Sequence, residues 1–222
     1  MGSTLPSFTE ENYLKAIYKL QEANGEVVAT SALAQVMGVH PPSVTDMLKR
    51  MARKKLVTYQ KSKGFKLTEK GRSVAIGIIR NHRLWEVFLV DKIGFRWDEV
   101  HDLAEQLEHI HSEALVNKLD AYLGYPKIDP HGDPIPDANG VLPKSKSVLL
   151  STLSVGQQGV FSGVTDHSAP FLNFLDKSGL SLGVHLKVKS IEEFDQTFTI
   201  QLKGKKEVMV SYKVANSLLI SE

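Results

Sequence analysis

The 222-residue sequence contains no cysteine. That absence excludes a disulfide framework, a zinc-thiolate finger and a cysteine nucleophile, and it fits a reducing, cytoplasmic setting. There is no uninterrupted run of about 18 apolar residues, so no membrane-spanning helix is expected. The first residues lack a charged stretch leading into an apolar core, so no secretion signal is expected. What remains, 42% hydrophobic and 23% charged residues, fits a globular protein of one large domain or two to three small ones.

The net charge of +2 hides an uneven distribution. Residues 1–74 carry 12 Lys/Arg against 6 Asp/Glu, whereas residues 75–143 carry 6 against 12. Five of the eight histidines (His82, His101, His109, His111 and His131) lie in that acidic middle. A basic block beside an acidic, histidine-rich one suggests one surface for polyanions and one for cations.

Periodicity organises the basic block. Thr9 reads as a helix N-cap with Asn12 three residues on, and Tyr13, Leu14, Ile17, Tyr18 and Leu20 follow at helical spacing. A second helix runs from Thr30 or Ser31 to Met37, stopped by Gly38; a third opens at Pro41-Pro42, with Val44, Met47, Leu48 and Met51 on its buried face. Residues 56–60 and 65–68 read as strands joined through Lys61-Ser62-Lys63-Gly64. Three helices and a hairpin make a winged helix-turn-helix, whose third helix fits the DNA major groove. His40, Pro42, Ser43, Thr45 and Asp46 are then placed at base edges. Lys49, Arg50, Arg53, Lys61 and Lys63 are placed at phosphates.

Two longer helices are expected at 69–92 and 97–123, then a Pro/Gly/Asp-rich loop at 125–147. From about 148 short β-branched runs (159–165, 184–190, 197–202, 207–212 and 216–220), with one helix at 168–178, suggest a small barrel. The fold class is thus mainly α with a small all-β domain. The expected divisions are 1–74 for DNA binding, 75–147 for metal binding and dimerisation, and 148–222 for the β domain.

His101, Glu105, Glu108 and His109 share one stripe of the expected helix, and His82 and Glu86 form an i, i+4 pair before it. Imidazole and carboxylate donors without sulfur suit Mn²⁺, Fe²⁺, Co²⁺, Ni²⁺ or Zn²⁺, the carboxylates favouring the harder ions. A solvated polar face is the plainer reading of such a stripe. A hydrolytic metal enzyme is disfavoured, since no H-E-x-x-H arrangement is present and no general base stands beside an open ligand position.

The stretches TEENYLKAIYKL (9–20), VHPPSVTDMLKRMARKKLV (39–57), LTEKGR (67–72), NHRLWEVFL (81–89), VHDLAEQLEH (100–109) and DPHGDPIP (129–136) together resemble the diphtheria toxin repressor family of metal-dependent regulators. The resemblance implies a homodimeric repressor that binds a palindromic operator when loaded with Mn²⁺ or, alternatively, Fe²⁺. It implies no membrane association and no small-molecule substrate, and it gives residues 150–222 an SH3-like fold. It also implies a primary metal site at Glu105, Glu108 and His109, joined by Asn12, where the family carries Met or Asp. Glu105 in place of a cysteine resembles the manganese-responsive branch. Lys15 stands where some short manganese regulators have a further carboxylate. A second site is implied at Glu86, completed either by His82 and His101 or, the favoured set, by Asp129, His131 and Asp166. The rival reading is a metal-independent winged-helix regulator whose C-terminal barrel binds a ligand.

Overall fold

The computed structural model describes residues 5–60, 64–143, 146–204 and 206–222. Helix α1 (Phe8–Asn24) begins two residues earlier than the sequence suggested, because Ser7, not Thr9, is its N-cap. The Ser7 hydroxyl accepts from the Glu10 amide at 3.4 Å, and the Glu10 carboxylate accepts from the Ser7 amide at 2.8 Å. This reciprocal pair satisfies two donors that a helix start leaves open. Helix α2 (Thr30–Met37) ends on Gly38, whose φ of 64° is the left-handed conformation glycine adopts without a Cβ penalty.

Helix α3 (Pro41–Arg53) starts at His40 with prolines in its first two positions, and its buried face is Val44, Leu48 and Met51. Strands β1 (Val57–Gln60) and β2 (Gly64–Leu67) pair antiparallel, with Val57 opposite Leu67. Val28 bridges to Phe65, adding a third backbone to the hairpin. The expected tip residues Lys61 and Lys63 lie outside the described residues.

Helix α4 (Glu69–Phe88) continues into one π-helical turn, Leu89–Ile93, closed by Gly94 at φ 89°. The expected helix over 97–123 is two helices instead, α5 (His101–Leu107) and α6 (Glu113–Tyr122). Between them the Ile110 amide donates to the Leu107 carbonyl and the Ser112 amide to the Ile110 carbonyl, so the i→i−4 ladder stops. The break lets Glu108 and His109 turn inward and become buried rather than continue an exposed stripe.

The remaining elements are β3 (Val148–Leu149), β4 (Gln158–Val164), α7 (Ala169–Ser178), β5 (His185–Ile191), β6 (Phe198–Leu202), β7 (Glu207–Val210), α8 (Tyr212–Ala215) and β8 (Leu218–Ser221). The strands form an antiparallel sheet in the order β3-β8-β4-β5-β6-β7, bulged between Phe161 and Gly163 and between Val188 and Ser190. Strict alternation along β6 puts Phe198, Ile200 and Leu202 inside. The chain is therefore mainly helical up to residue 122, with a small all-β domain after it.

Packing divides the chain into two compact units. The first comprises Met1–His82, Gln106–Glu113 and Pro136–Val141; the second comprises Arg83–Glu105, Ala114–Ile135 and Leu142–Glu222. The first is built on fully buried Leu14, Ile17, Leu33, Val44, Leu48, Met51 and Leu56. The second holds two apolar clusters, one of Leu84, Val87, Val116, Leu119 and Ile135, the other centred on Phe161, Leu172, Leu175 and Phe198.

Losing the α1 cap is measurable. Ser7→Ala is expected to lower unfolding stability by about 1 kcal/mol, read as a reduced urea midpoint with an unchanged denaturant slope.

Candidate metal centres and DNA-facing helix

In the first unit, α1 and the segment after α5 place ionisable groups face to face. Glu10 and Glu11 are adjacent on α1 and both fully buried. Glu10 pairs with Lys54 at 2.7 Å. Burial opposes ionisation of Glu10, but the hydrogen bonds from Lys54 and the Ser7 amide outweigh it and hold its pKa below the ordinary carboxylate value. Glu11 lies 2.5 Å from His109 Nδ1 and 3.0 Å from His111 Nε2. The His109 ring is stacked on Phe8, with centroids 4.6 Å apart.

Glu108 is the best-compensated buried carboxylate. Lys15 Nζ donates to both its oxygens, at 2.6 and 2.8 Å, and His82 Nδ1 lies 2.6 Å from Oε2. The Glu108 backbone carbonyl accepts from the Asn81 amide group at 3.1 Å. On α1, three residues before Lys15, the Asn12 side-chain oxygen is buried and accepts no hydrogen bond. A buried, unsatisfied oxygen suits a hard divalent ion, because leaving it unpaired costs about 1–3 kcal/mol.

Of the residues expected at the primary site, Asn12, Glu108 and His109 belong to this first unit; Glu105 belongs to the second, 3.8 Å from His101 Nε2. Glu11 and His111 were not anticipated as site residues. The readable signal was the Glu10-Glu11 pair at a helix start, where one carboxylate suffices for capping.

The second unit holds another cluster. One donor atom each from Glu86, Asp129 and His131 lies within 4.8 Å of the others, and all three residues are buried. His131 Nδ1 is 3.4 Å from Glu86, while its Nε2 lies 2.8 Å from the Trp97 carbonyl oxygen. That carbonyl accepts a hydrogen bond from Nε2–H and leaves Nδ1, buried without a hydrogen bond, facing Glu86. The Asp129 carboxylate accepts from the backbone amides of His131 (2.8 Å) and Asp133 (3.0 Å), which curls the loop around it. Arg83 pairs with Asp133 at 3.2 Å and stands 3.7 Å from Asp129.

His101 lies 3.4 Å from the other Glu86 oxygen. His82, the remaining member of that alternative set, is in the first unit on Glu108. Asp166, the C-terminal carboxylate expected in that favoured set, accepts from the Ser168 amide at 2.9 Å just before α7. Its neighbour His167, which sequence reading passed over, stacks on His131 at 4.7 Å and stands 5.9 Å from His101.

Gly132 makes this loop possible. Its φ is 90°, and a Cβ there would lie 2.1 Å from the Ser162 carbonyl oxygen on β4. Next to it, the His131 carbonyl accepts from the Val164 amide at 3.0 Å, so the loop is bonded to β4.

Crowding shifts the ionisation of this cluster. Burial, then the charges of Glu86 and Asp133, push the Asp129 pKa up to about 8, despite His131 and Arg83. Burial opposes a charged His131, but Glu86, Asp129 and the Trp97 carbonyl outweigh it and raise its pKa.

On α3, the expected base-contacting residues His40, Pro42, Ser43 and Asp46 are exposed, as are Lys49, Arg50 and Arg53. Thr45 is half-buried, with its hydroxyl donating to the Pro41 carbonyl at 3.1 Å, and Lys49 sits 3.3 Å from Asp46.

Comparison with known proteins places this geometry. The family model of the iron-dependent repressor N-terminal DNA-binding domain matches residues 7–65, and that of the iron-dependent repressor metal-binding and dimerisation domain matches residues 68–137. The HTH-type transcriptional regulator MntR of Oceanobacillus iheyensis is 33% identical over 125 residues, covering 56% of this chain and 84% of that protein. The chain belongs to the iron-dependent repressor family. Its β domain matches the FeoA domain over residues 148–222. Another family member, the iron-dependent repressor IdeR of Mycobacterium tuberculosis, is 40% identical over 128 residues, 58% of this chain; the match spans about half (55%) of that protein's length. The solved structure of a manganese-dependent transcriptional repressor in complex with manganese superposes with a TM-score of 0.87 at 34% identity, covering 96% of this chain and 99% of that one. ScaR with bound Zn²⁺ gives 0.79 at 31% identity, covering 98% and 100%.

Two measurements check the second cluster. A raised carboxylate pKa stabilises the fold fully at low pH, and that contribution is lost as pH climbs from the unfolded value of about 4 to about 8. The raised His131 pKa acts in the same direction. Metal-free protein is thus expected to melt at progressively lower temperature as pH rises across this window, and Asp129→Asn should flatten the dependence. Gly132→Ala should lower the metal-free melting temperature by several degrees, since its backbone must leave the left-handed region and move off β4.

Proposed function

We propose that this chain is a transcriptional repressor that binds operator DNA as a homodimer when loaded with Mn²⁺, with Fe²⁺ as the alternative ion and Zn²⁺, Co²⁺ or Ni²⁺ as possible substitutes in vitro. The division of labour follows the three segments: 1–74 contacts DNA, 75–147 binds metal and dimerises, and 148–222 supports the second cluster. The protein acts in the cytoplasm by binding alone, with no catalytic step, membrane contact or small-molecule substrate.

One observation carries this reading. The exposed face of α3 and the buried Glu108–His109 donors belong to the same compact unit, joined through α1. Asn12 offers an unsatisfied oxygen from α1, while Glu108 and His109 offer donors from the segment after α5. Glu105, Glu108, His109 and Asn12 would hold the regulatory ion; Glu86 would hold a second one with Asp129, His131 and Asp166, the alternative partners being His82 and His101. A bound cation supplies positive charge that draws these oxygen and nitrogen donors together. With such an ion held, Asn12 would tie α1, and with it the DNA-facing helix, to the dimerisation segment. Fixing that helix lowers the entropy cost of docking two heads on one operator.

A third-row donor set is not needed for this chemistry: oxygen and imidazole donors without thiolate favour the earlier divalent ions. The rival reading, a metal-independent regulator, requires DNA binding that is indifferent to chelator.

Gel shifts decide between them. Operator binding should require Mn²⁺ or Fe²⁺ and be lost in EDTA. Glu108→Gln should abolish that metal dependence while leaving a folded dimer. By linkage, operator DNA must tighten metal binding by the factor by which metal tightens DNA binding. Equal metal affinities with and without operator would contradict the proposal.

A further inference from the structure

We propose that Lys15 is a resident competitor for the Glu108 site and sets the ion concentration at which that site loads. The inference rests on the reading of Glu108 as a metal ligand and adds a residue that determines its affinity. Lys15 lies on α1, three residues after Asn12 and four after Glu11. Its side chain is almost completely buried, and its ammonium donates to both oxygens of a fully buried carboxylate. His82 takes one of the same oxygens, and His109 Nε2 stands 3.8 Å from the other. Each Glu108 oxygen already has a cationic donor supplied by the chain.

Lys15 holds both of those oxygens, so a divalent ion drawn to them competes with its ammonium. Loading is therefore an exchange in which the ammonium withdraws along its flexible four-carbon stem as the ion arrives. Two costs fall on the loaded state: the lost buried ion pair, and repulsion between the displaced ammonium and the incoming charge. Both weaken affinity, and neither exists without the charge on Lys15. The same pair joins α1 to the segment after α5.

The test is Mn²⁺ binding by equilibrium dialysis, comparing full-length wild type with Lys15→Met, Lys15→Gln and Lys15→Arg, each with and without Glu108→Gln. The Glu108-dependent binding should tighten at least tenfold in Lys15→Met and Lys15→Gln, which keep bulk but lose charge. Lys15→Arg should show no tightening. Metal-free melting temperatures should fall for the uncharged variants and recover on adding Mn²⁺. A purely structural role would predict the fall without the tighter binding. Unchanged or weaker Mn²⁺ affinity in folded Lys15→Met and Lys15→Gln would overturn the role of Lys15 alone. Wild-type Mn²⁺ binding that Glu108→Gln leaves intact would instead overturn the site assignment on which it rests.

Discussion

Buried carboxylates must be compensated, and in this protein that requirement determines where several elements lie. Removing one partner of a buried ion pair leaves an uncompensated charge that costs roughly 3–5 kcal/mol. Glu10, Glu11 and Glu108 are each almost without solvent contact, and each is met by a cation or imidazole from elsewhere in the chain. Lys54 from the end of α3 reaches Glu10, while His109 and His111 reach Glu11. The segment after α5 cannot remain helical and also deliver Glu108 and His109 to α1, which accounts for the break at 108–112. An apolar core alone would hold the three-helix head; the charges hold the dimerisation segment to it.

The second cluster solves a similar problem differently. Glu86 and Asp129 are both buried within reach of His131, and Arg83 stands 3.7 Å from Asp129. Asp129 copes partly by accepting backbone amides and partly by resisting ionisation. The first unit compensates its buried carboxylates with a lysine ammonium and imidazoles, whereas in the second a carboxylate kept from ionising and an imidazole held more basic share that burden.

Much of the fold was legible because it rests on local chemistry. The periodicity of Leu14, Ile17 and Tyr18, the Gly38 stop and the Pro41-Pro42 start each follow from one or two residues. The β-branched runs gave β4 to β8 within a residue or two at most ends, whereas the two-residue β3 and the four-residue α8 were too short to leave a pattern. The helix break after Leu107 was not legible, since the His/Glu spacing fits an uninterrupted helix and only the burial of Glu108 and His109 reveals otherwise. For the sites, the sequence named the ligand types but not their partners. Glu11 becomes visible only through its contact with His109, 98 residues away in the chain, and Lys15, noted from the sequence, gains its partner Glu108 from 93 residues away. His167 was overlooked because its neighbour Asp166 carries the charge.

The start of α3 has a consequence for how this protein could meet nucleic acid. A helix ordinarily begins with open amide hydrogens that can grip a phosphate. Here the first two positions are prolines, which have none, and the Ser43 and Val44 amides are both directed at the His40 carbonyl, at 3.0 and 3.4 Å. The tip of this helix therefore offers no backbone grip on the sugar-phosphate rail. What α3 exposes instead are side chains, those of His40, Pro42 and Ser43 at the tip and the longer Lys49, Arg50 and Arg53 further along.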